Sequence, residues 1–118
     1  MYMRILLNTE QFSLLLACYT ATLLLGHAWW LFPLLLLLPD VSMLGYLAGP
    51  RAGAITYNLF HHQGIGVALI IVGWSAQLPG VLLAGLVLLG HSAMDRSVGY
   101  GLKYFSGFQD THLGRIGK

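Results

Sequence analysis

Two ionisable residues four positions apart, His91 and Asp95, are the part of this sequence best suited to chemistry. On a helix, this spacing places both side chains on one face. The stretch before them, residues 78–90, contains no charged residue, which is typical of a helix inside a membrane. An ionisable side chain at membrane depth costs about 2.5–3.5 kcal/mol on insertion scales, so such residues commonly mark a functional site.

The composition predicts an all-α integral membrane protein. Of the 118 residues, 57% are hydrophobic and 8% are charged, and the mean hydropathy is +0.72. Soluble domains are about a quarter charged, so a chain this apolar is expected to face lipid. Its length suits one small bundle without a second domain. The formal net charge of +2 gives no indication of nucleic acid binding, and the single cysteine, Cys18, cannot form an internal disulfide.

Four apolar stretches predict four transmembrane helices in a small bundle. The spans cover residues 5–25, 29–48, 52–74 and 80–102 of a transmembrane domain (1–102), and residues 103–118 form a cytoplasmic interfacial tail. Each span has about the 20 residues that a bilayer core requires. A cleaved signal peptide is the alternative for the first stretch, but Glu10 and Gln11 interrupt its apolar core. Pro39 and Asp40 interrupt the second, which predicts a kink whose polar groups face the bundle interior.

The basic residues orient the predicted bundle. All six lie at the N-terminus, between the second and third spans, or at the C-terminal end: Arg4, Arg51, Arg96, Lys103, Arg115 and Lys118. With four spans, these three places are on one side of the membrane, and the opposite turns contain neither lysine nor arginine. The positive-inside rule therefore predicts that both termini are cytoplasmic.

Five ionisable side chains are predicted to lie at a similar depth in the cytoplasmic half of the membrane. At the helical rise per residue, Asp40 and His61 lie roughly 15 Å from the cytoplasmic ends of their helices. The same rise places His91 about 12 Å and Glu10 about 9 Å from that face, with Asp95 one turn shallower than His91. Side chains from all four helices therefore converge on one layer.

Histidines and carboxylates at one depth are ligands for a divalent transition metal such as zinc, iron or manganese. His61, His91 and Asp95 are the predicted metal ligands. Asp40 either completes the coordination shell or acts catalytically together with Glu10, which supports a ligand or serves as general base on a metal-bound water. A membrane-embedded metallohydrolase acting on a lipid-like substrate is the function that this site favours.

Three other interpretations use the same residues. A buried polar network of Asp40, Tyr57, Asn58 and His61 would fix helix register in a structural or oligomeric membrane protein. His61 and His91 on facing helices would ligate a haem axially. Carboxylates and imidazoles at depth would also line a proton or ion pathway, although the far half of the bundle has few polar groups.

The glycine-rich, aromatic tail also has two interpretations. Its aromatic and basic side chains would place it at the lipid headgroups as an interfacial segment. Alternatively, the glycines permit tight turns that fold Asp110 and His112 back under the site as a lid. Arg96 either pairs with Asp95 or holds a substrate phosphate or carboxylate. Four short helices enclose little volume, so a homo-oligomer within the lipid bilayer is a further expectation.

Five ordered blocks of the sequence resemble a known family. They are PDVSMLGY at 39–46, YNLFH at 57–61, HSAMDR at 91–96, GYGLKY at 99–104 and DTHLG at 110–114. Together they resemble a family of small bacterial integral membrane proteins that is defined only as a domain of unknown function. The resemblance implies the bacterial inner membrane as location and brings no activity. It also implies that eight residues belong to the family's pattern, and His27 and His62 lie outside it. The eight are Glu10, Asp40, Asn58, His61, His91, Asp95, Asp110 and His112.

Overall fold

The computed structural model describes residues 1–117 as a mostly helical protein. The elements in chain order are α1 (Tyr2–Leu24), α2 (Leu31–Leu35), a 3₁₀ helix (Leu38–Ala48), α3 (Pro50–His61), α4 (Gln63–Ser75), α5 (Pro79–Ser97), β1 (Asp110–Thr111) and β2 (Gly114–Arg115). The predicted all-α class is therefore confirmed at the coarse level, with one small antiparallel hairpin added at the C-terminal end.

Helix α5 lies at the centre of the bundle. It packs against α1 and α4 along much of its length, and more briefly against α3 and the 3₁₀ helix. Every large apolar side chain of α5 is buried or half-buried, whereas α1 to α4 and the 3₁₀ helix all carry exposed large apolar side chains. The buried apolar core consists of Cys18, Phe32, Leu82, Leu86, Val87 and Leu89.

Glycines allow the backbones of α4 and α5 to pack directly against each other. A Cβ atom added to Gly73 would lie 2.3 Å from the backbone nitrogen of Leu82, and one added to Gly66 would lie 3.0 Å from that of Leu89. Small residues are the usual means of such close helix packing in membranes. This antiparallel contact fixes the position of α5, and with it the two ionisable residues near its C-terminal end.

The second predicted span is not one α-helix. Helix α2 ends at Leu35, and the chain continues as a 3₁₀ helix from Leu38. Within it, the N–H of Asp40 donates to the carbonyl of Leu37 at 3.2 Å, three residues back. The interruption predicted at Pro39 is confirmed, because proline removes the backbone donor that an α-helix needs there.

The third predicted span is divided at His62. His62 has an extended backbone (φ −78°, ψ 116°), and its Nδ1 accepts a hydrogen bond from the N–H of Ile65, which caps α4. The carbonyl of His61 accepts a hydrogen bond from the hydroxyl of Ser92 on α5 at 2.7 Å, in place of a bond from a helical N–H. Helices α3 and α4 therefore meet at a bend of 43°.

The fourth predicted span ends five residues early, at Ser97. Gly99 has φ +90°, a left-handed conformation that glycine adopts readily, and the N–H of Tyr100 bonds the carbonyl of Asp95 at 2.8 Å. After this turn the chain folds back on itself through a β-bridge between Lys103 and Thr111, and the backbone of Lys103 bonds Asn58 of α3. The tail is thus an ordered part of the fold.

Within residues 1–117, one helical run, Leu31–Ala48, is long and apolar enough to cross a membrane. The bent pair Pro50–His61 and Gln63–Ser75 provides a second if both helices form one span. These helices support membrane association weakly, since a buried core helix has the same properties. The count of four transmembrane spans and their orientation stay predictions.

Candidate metal centre

Four ionisable residues from three helices meet at one point of the bundle. Asp40 comes from the 3₁₀ helix, His61 is the last residue of α3, and His91 and Asp95 lie one turn apart on α5. Each residue offers one nitrogen or oxygen atom as a possible metal ligand, and these four atoms all lie within 4.8 Å of one another. The four residues that were predicted to lie at one depth are therefore close together in the structure.

Both imidazoles use the same ring nitrogen to bond the backbone. The Nδ1–H of His61 donates to the carbonyl of Tyr57 at 2.8 Å, and the Nδ1–H of His91 donates to the carbonyl of Leu36. A carbonyl oxygen only accepts, so Nδ1 carries the hydrogen in each ring. In the neutral imidazoles, Nε2 therefore has a free lone pair. Metal-binding histidines are oriented by this kind of Nδ1 hydrogen bond.

Pro39 explains why the carbonyl of Leu36 is available to His91. In a 3₁₀ helix, each N–H donates to the carbonyl three residues earlier, and the donor for residue 36 would be residue 39. Proline has no N–H, so this carbonyl has no helical donor. The imidazole of His91 supplies the missing hydrogen bond. A local property of the sequence thus sets the orientation of a residue 55 positions away along the chain.

The two Nε2 atoms face the same pair of carboxylate oxygens. Nε2 of His61 lies 3.5 Å from Oδ1 of Asp40 and 3.4 Å from Oδ2 of Asp95. Nε2 of His91 lies 3.0 Å and 3.5 Å from the same two oxygens. A tetrahedral ion with bonds of 2.0–2.2 Å requires its ligand atoms to be roughly 3.3–3.6 Å apart. Three of the four nitrogen–oxygen distances fall in this range.

The centre is buried on one side and open on the other. His61 and His91 are 2% and 0% exposed. The side chain of Asp95 is 14% exposed, and that of Asp40 is 42% exposed. Within residues 1–117, Nε2 of His61 is buried without a hydrogen-bond partner. A buried lone pair that faces two carboxylates needs a proton or a cation beside it.

Two neighbouring residues of α3 support the centre, as the sequence suggested for Tyr57 and Asn58. The hydroxyl of Tyr57 donates to Oδ2 of Asp95 at 2.8 Å, and its ring stacks on His61 with 3.7 Å between centroids. The side chain of Asn58 donates to the carbonyl of Lys103 at 2.9 Å and accepts its N–H at 2.6 Å. Tyr57 thus orients two of the four residues, and Asn58 holds the tail beside them.

Two other predicted residues lie outside the group of four. Glu10 is an exposed residue of α1, so the structure does not bring it to the centre. Arg96 donates to the carbonyl of His61 at 3.5 Å, which makes it part of the helix junction. Among residues 1–117, no ion pair joins Arg96 to Asp95. The interpretation of Arg96 as a partner of Asp95 is therefore wrong.

Asp110 and His112 organise the tail and do not reach the centre. Asp110 accepts a hydrogen bond from Ser106 and pairs with Arg115, and these contacts lower the pKa of its carboxyl group, the Ser106 contact most. Nδ1 of His112 accepts the N–H of Leu102 at 2.8 Å. Burial lowers the pKa of His112, and the charge of Arg96 adds to this effect.

A family model described as a domain of unknown function, DUF4260, matches residues 4–116. The chain belongs to the DUF4260 family. This confirms the resemblance carried by the five sequence blocks. No characterised protein and no solved structure matches the chain. Because the DUF4260 match includes all four residues of the centre, the centre is built from the family domain itself.

In this DUF4260 chain, residues of the tail line one side of a cavity of about 300 Å³ at the exposed side of the centre. The cavity is lined by Asp40, Met43, Tyr57, Asp95, Tyr100, Lys103, Phe108 and Ile116. The tail residues beside the site are Lys103, Phe108 and Ile116, and they do not include Asp110 or His112, which the lid interpretation placed there.

Lys103 is the residue of this cavity that sequence reasoning missed. It is only 4% exposed, and burial lowers the pKa of its ammonium group, while the nearby carboxylates of Asp95 and Asp40 act in the opposite direction. In the sequence, Lys103 was one of six basic residues and served only to orient the bundle. Its position depends on a contact with Asn58, 45 residues earlier, for which the sequence carries no local signal.

Proposed function

We propose that this DUF4260 protein is a membrane-embedded metalloprotein that hydrolyses an ester bond in an amphiphilic substrate. His61, His91 and Asp95 hold a divalent transition metal, and Asp40 faces the cavity beside it. The observation that carries the proposal is the convergence of two Nε2 lone pairs and two carboxylate oxygens, with both Nδ1 atoms bonded to backbone carbonyls. Neutral imidazoles and carboxylates suit zinc, iron or manganese.

The distances favour a shared cation over a network of ion pairs. A protonated histidine that pairs with a carboxylate approaches it to about 2.7–2.9 Å. Here each Nε2 lies between the two carboxylates. His91 and Asp40 form one hydrogen bond at 3.0 Å, and the other three nitrogen–oxygen distances are 3.4–3.5 Å. The largely buried carboxylate of Asp95 and the adjacent carboxylate of Asp40 also need compensation, which a divalent cation provides directly.

The same geometry is unfavourable for haem. An iron bound axially by His61 and His91 would need a porphyrin plane between the two Nε2 atoms. The carboxylate oxygens of Asp40 and Asp95 lie within 3.5 Å of both Nε2 atoms and occupy this space.

The two aspartates differ in ways that suit different roles. Asp95 is largely buried and accepts the hydroxyl of Tyr57, which orients it as a ligand. Asp40 is more exposed and lines the cavity. In hydrolysis, the oxygen of a water molecule bonds to the acyl carbon or phosphorus while the ester bond breaks. Asp40 accepts the proton from water and passes it to the leaving oxygen. The general-base role predicted for Glu10 is thus assigned to Asp40.

Metal analysis of the purified protein tests the metal site. We expect one divalent transition-metal ion per chain in the wild type. The variant His62→Ala should bind the same amount, because the exposed imidazole of His62 caps α4 and lies outside the group of four. His91→Ala and Asp95→Asn should each lose the ion. Wild-type protein that purifies without metal and takes up no ion in titration would contradict the metal site and favour the buried polar network instead.

Asp40→Asn tests the hydrolytic role. We expect this variant to keep the metal and to lose hydrolysis of chromogenic acyl and phosphate esters in mixed micelles. Wild-type protein that is loaded with metal and inert toward both ester classes would remove hydrolysis from the proposal and leave the metal site.

We also propose that the bundle spans the bacterial inner membrane four times with both termini in the cytoplasm. Exposed large apolar side chains on α1 to α4 support this, as does the buried position of the imidazoles. The arginines support a single basic side, since Arg4 shares cavities with Arg96 and with Arg115, and Arg51 lies over Phe105 of the tail. Reporter fusions after the last residue and in the 76–78 turn should report opposite sides. A periplasmic C-terminus would contradict the orientation.

A further inference from the structure

The side chain of Lys103, a residue only 4% exposed, lines the cavity without a charged partner for its ammonium group. Within residues 1–117 it takes part in no hydrogen bond or ion pair, and it lies 4.7 Å from the ring centre of Tyr57 and 3.9 Å from that of Phe108. Its backbone is fixed on both sides by Asn58. Lysine is rarely buried without a paired charge, and the aromatic rings compensate only part of its lost hydration. A lysine held in this way is suited to bind an anion in the cavity that it lines.

The charges of the cavity point in the same direction once a metal is present. A divalent cation neutralises the carboxylates of Asp40 and Asp95, and the ammonium of Lys103 is then the one uncompensated charge among the eight lining residues. A ligand with at least one negative charge balances it. The apolar side chains of Met43, Phe108 and Ile116 line the remainder of the cavity and suit an attached apolar group.

We propose that this cavity binds the phosphate group of a membrane amphiphile, with the ammonium of Lys103 as its counter-charge. The inference rests on the proposed metal site. A phosphate monoester carries between one and two negative charges near pH 7 and has three acceptor oxygens, so it can contact Lys103 and the metal centre together. Lysine is a common phosphate ligand that acts as a point charge.

This assignment names the bond that is hydrolysed. With the phosphate beside Lys103, the ester linkage lies in the cavity that Asp40 also lines. Water adds to phosphorus, the bond between phosphorus and the ester oxygen breaks, and the leaving oxygen takes the proton that Asp40 received from water. The products are inorganic phosphate and a lipid alcohol, so the reaction needs no further reactant.

Binding to the metal-loaded protein in detergent tests the inference. The probes are inorganic phosphate and a short-chain phosphatidic acid, and the variants are Lys103→Met, Lys103→Arg and the matched control Arg51→Met, which removes a basic side chain outside the cavity. We expect Lys103→Met to bind short-chain phosphatidic acid about ten- to a hundredfold more weakly than wild type. Lys103→Arg and Arg51→Met should bind it nearly as tightly as wild type. The metal content of Lys103→Met serves as the check that the variant is folded.

The outcomes separate this inference from the proposed metal site. If wild type and Lys103→Met each hold one metal ion and bind short-chain phosphatidic acid with equal affinity, the role of Lys103 is overturned and the metal site stays in place. Equal affinity of wild type for inorganic phosphate and for phosphatidic acid would overturn the assignment to an amphiphile. A wild-type protein that binds no metal would overturn the proposed function and this inference together.

Discussion

The Nδ1–H of His91 donates to the carbonyl oxygen of Leu36, the carbonyl that Pro39 leaves without a helical donor. This hydrogen bond joins the bend of the second helical run to the orientation of an imidazole on α5. It fixes Nδ1 as a protonated nitrogen of His91, so that Nε2 faces Oδ1 of Asp40 at 3.0 Å, with a proton or a cation between them. Proline at position 39 is therefore expected to matter for ligand binding as well as for the path of the chain.

Replacement of Pro39 tests this coupling. In Pro39→Ala the new N–H competes with His91 for the carbonyl of Leu36, and we expect metal affinity about ten- to a hundredfold lower than in wild type. Pro33→Ala is the matched control, because this exposed proline of α2 lies apart from the centre. The measurement is a competition titration with a metal indicator. Wild-type affinity in Pro39→Ala would show that the His91 contact does not depend on the proline.

Tyr57→Phe removes one hydroxyl and keeps the ring that stacks on His61. The lost hydrogen bond to Asp95 involves a carboxylate, so we expect the free energy of unfolding of the metal-free protein to fall by about 1.5–3 kcal/mol. The control is Tyr19→Phe, whose hydroxyl donates to the carbonyl of Trp29, a neutral acceptor. Its expected loss is about 0.5–1.5 kcal/mol. Denaturant unfolding in detergent measures both, and equal losses would contradict the support that Tyr57 gives to Asp95.

The attachment of the tail is expected to weaken in acid through His112. The folded protein lowers the pKa of this imidazole below the usual value of about 6.5, so its stabilising contribution is present above that pH and is lost as the pH falls through the lower, folded value. Protonation removes the Nδ1 lone pair that accepts the N–H of Leu102. Hydrogen exchange of the Leu102 amide, corrected for its intrinsic pH dependence, should therefore accelerate in acid. In His112→Ala this amide should exchange rapidly at every pH, and a pH step that survives in this variant would contradict the assignment.

The centre was predictable because, in the predicted four-helix bundle, depth follows from sequence position. The apolar lengths and the helical rise placed Asp40, His61, His91 and Asp95 in one layer without any knowledge of their neighbours. The same reasoning failed for Glu10, since depth does not determine which face of α1 a residue occupies. Glu10 has a similar predicted depth and lies on an exposed face.

The two breaks in the helices differ in whether the local sequence predicts them. The interruption at Pro39 was predictable, because proline removes a backbone donor whatever surrounds it. The break at His62 accompanies a hydrogen bond from Ser92 to the carbonyl of His61, which is visible only after α5 is packed. The position of Lys103 in the cavity depends on Asn58 in the same way. Contacts between distant segments, and not helix propensities, therefore determine the part of the site that the sequence left open.

Cobalt(II) titration of the metal-free protein, followed by visible absorption, tests the central claim most directly. Coordination geometry is diagnostic for transition metals, and four-coordinate cobalt absorbs visible light far more strongly than the six-coordinate aqueous ion. We expect strong bands that saturate at one cobalt per chain, that zinc abolishes, and that His91→Ala lacks. A weak six-coordinate spectrum that is identical in wild type and His91→Ala would contradict a metal site held by His61, His91 and Asp95.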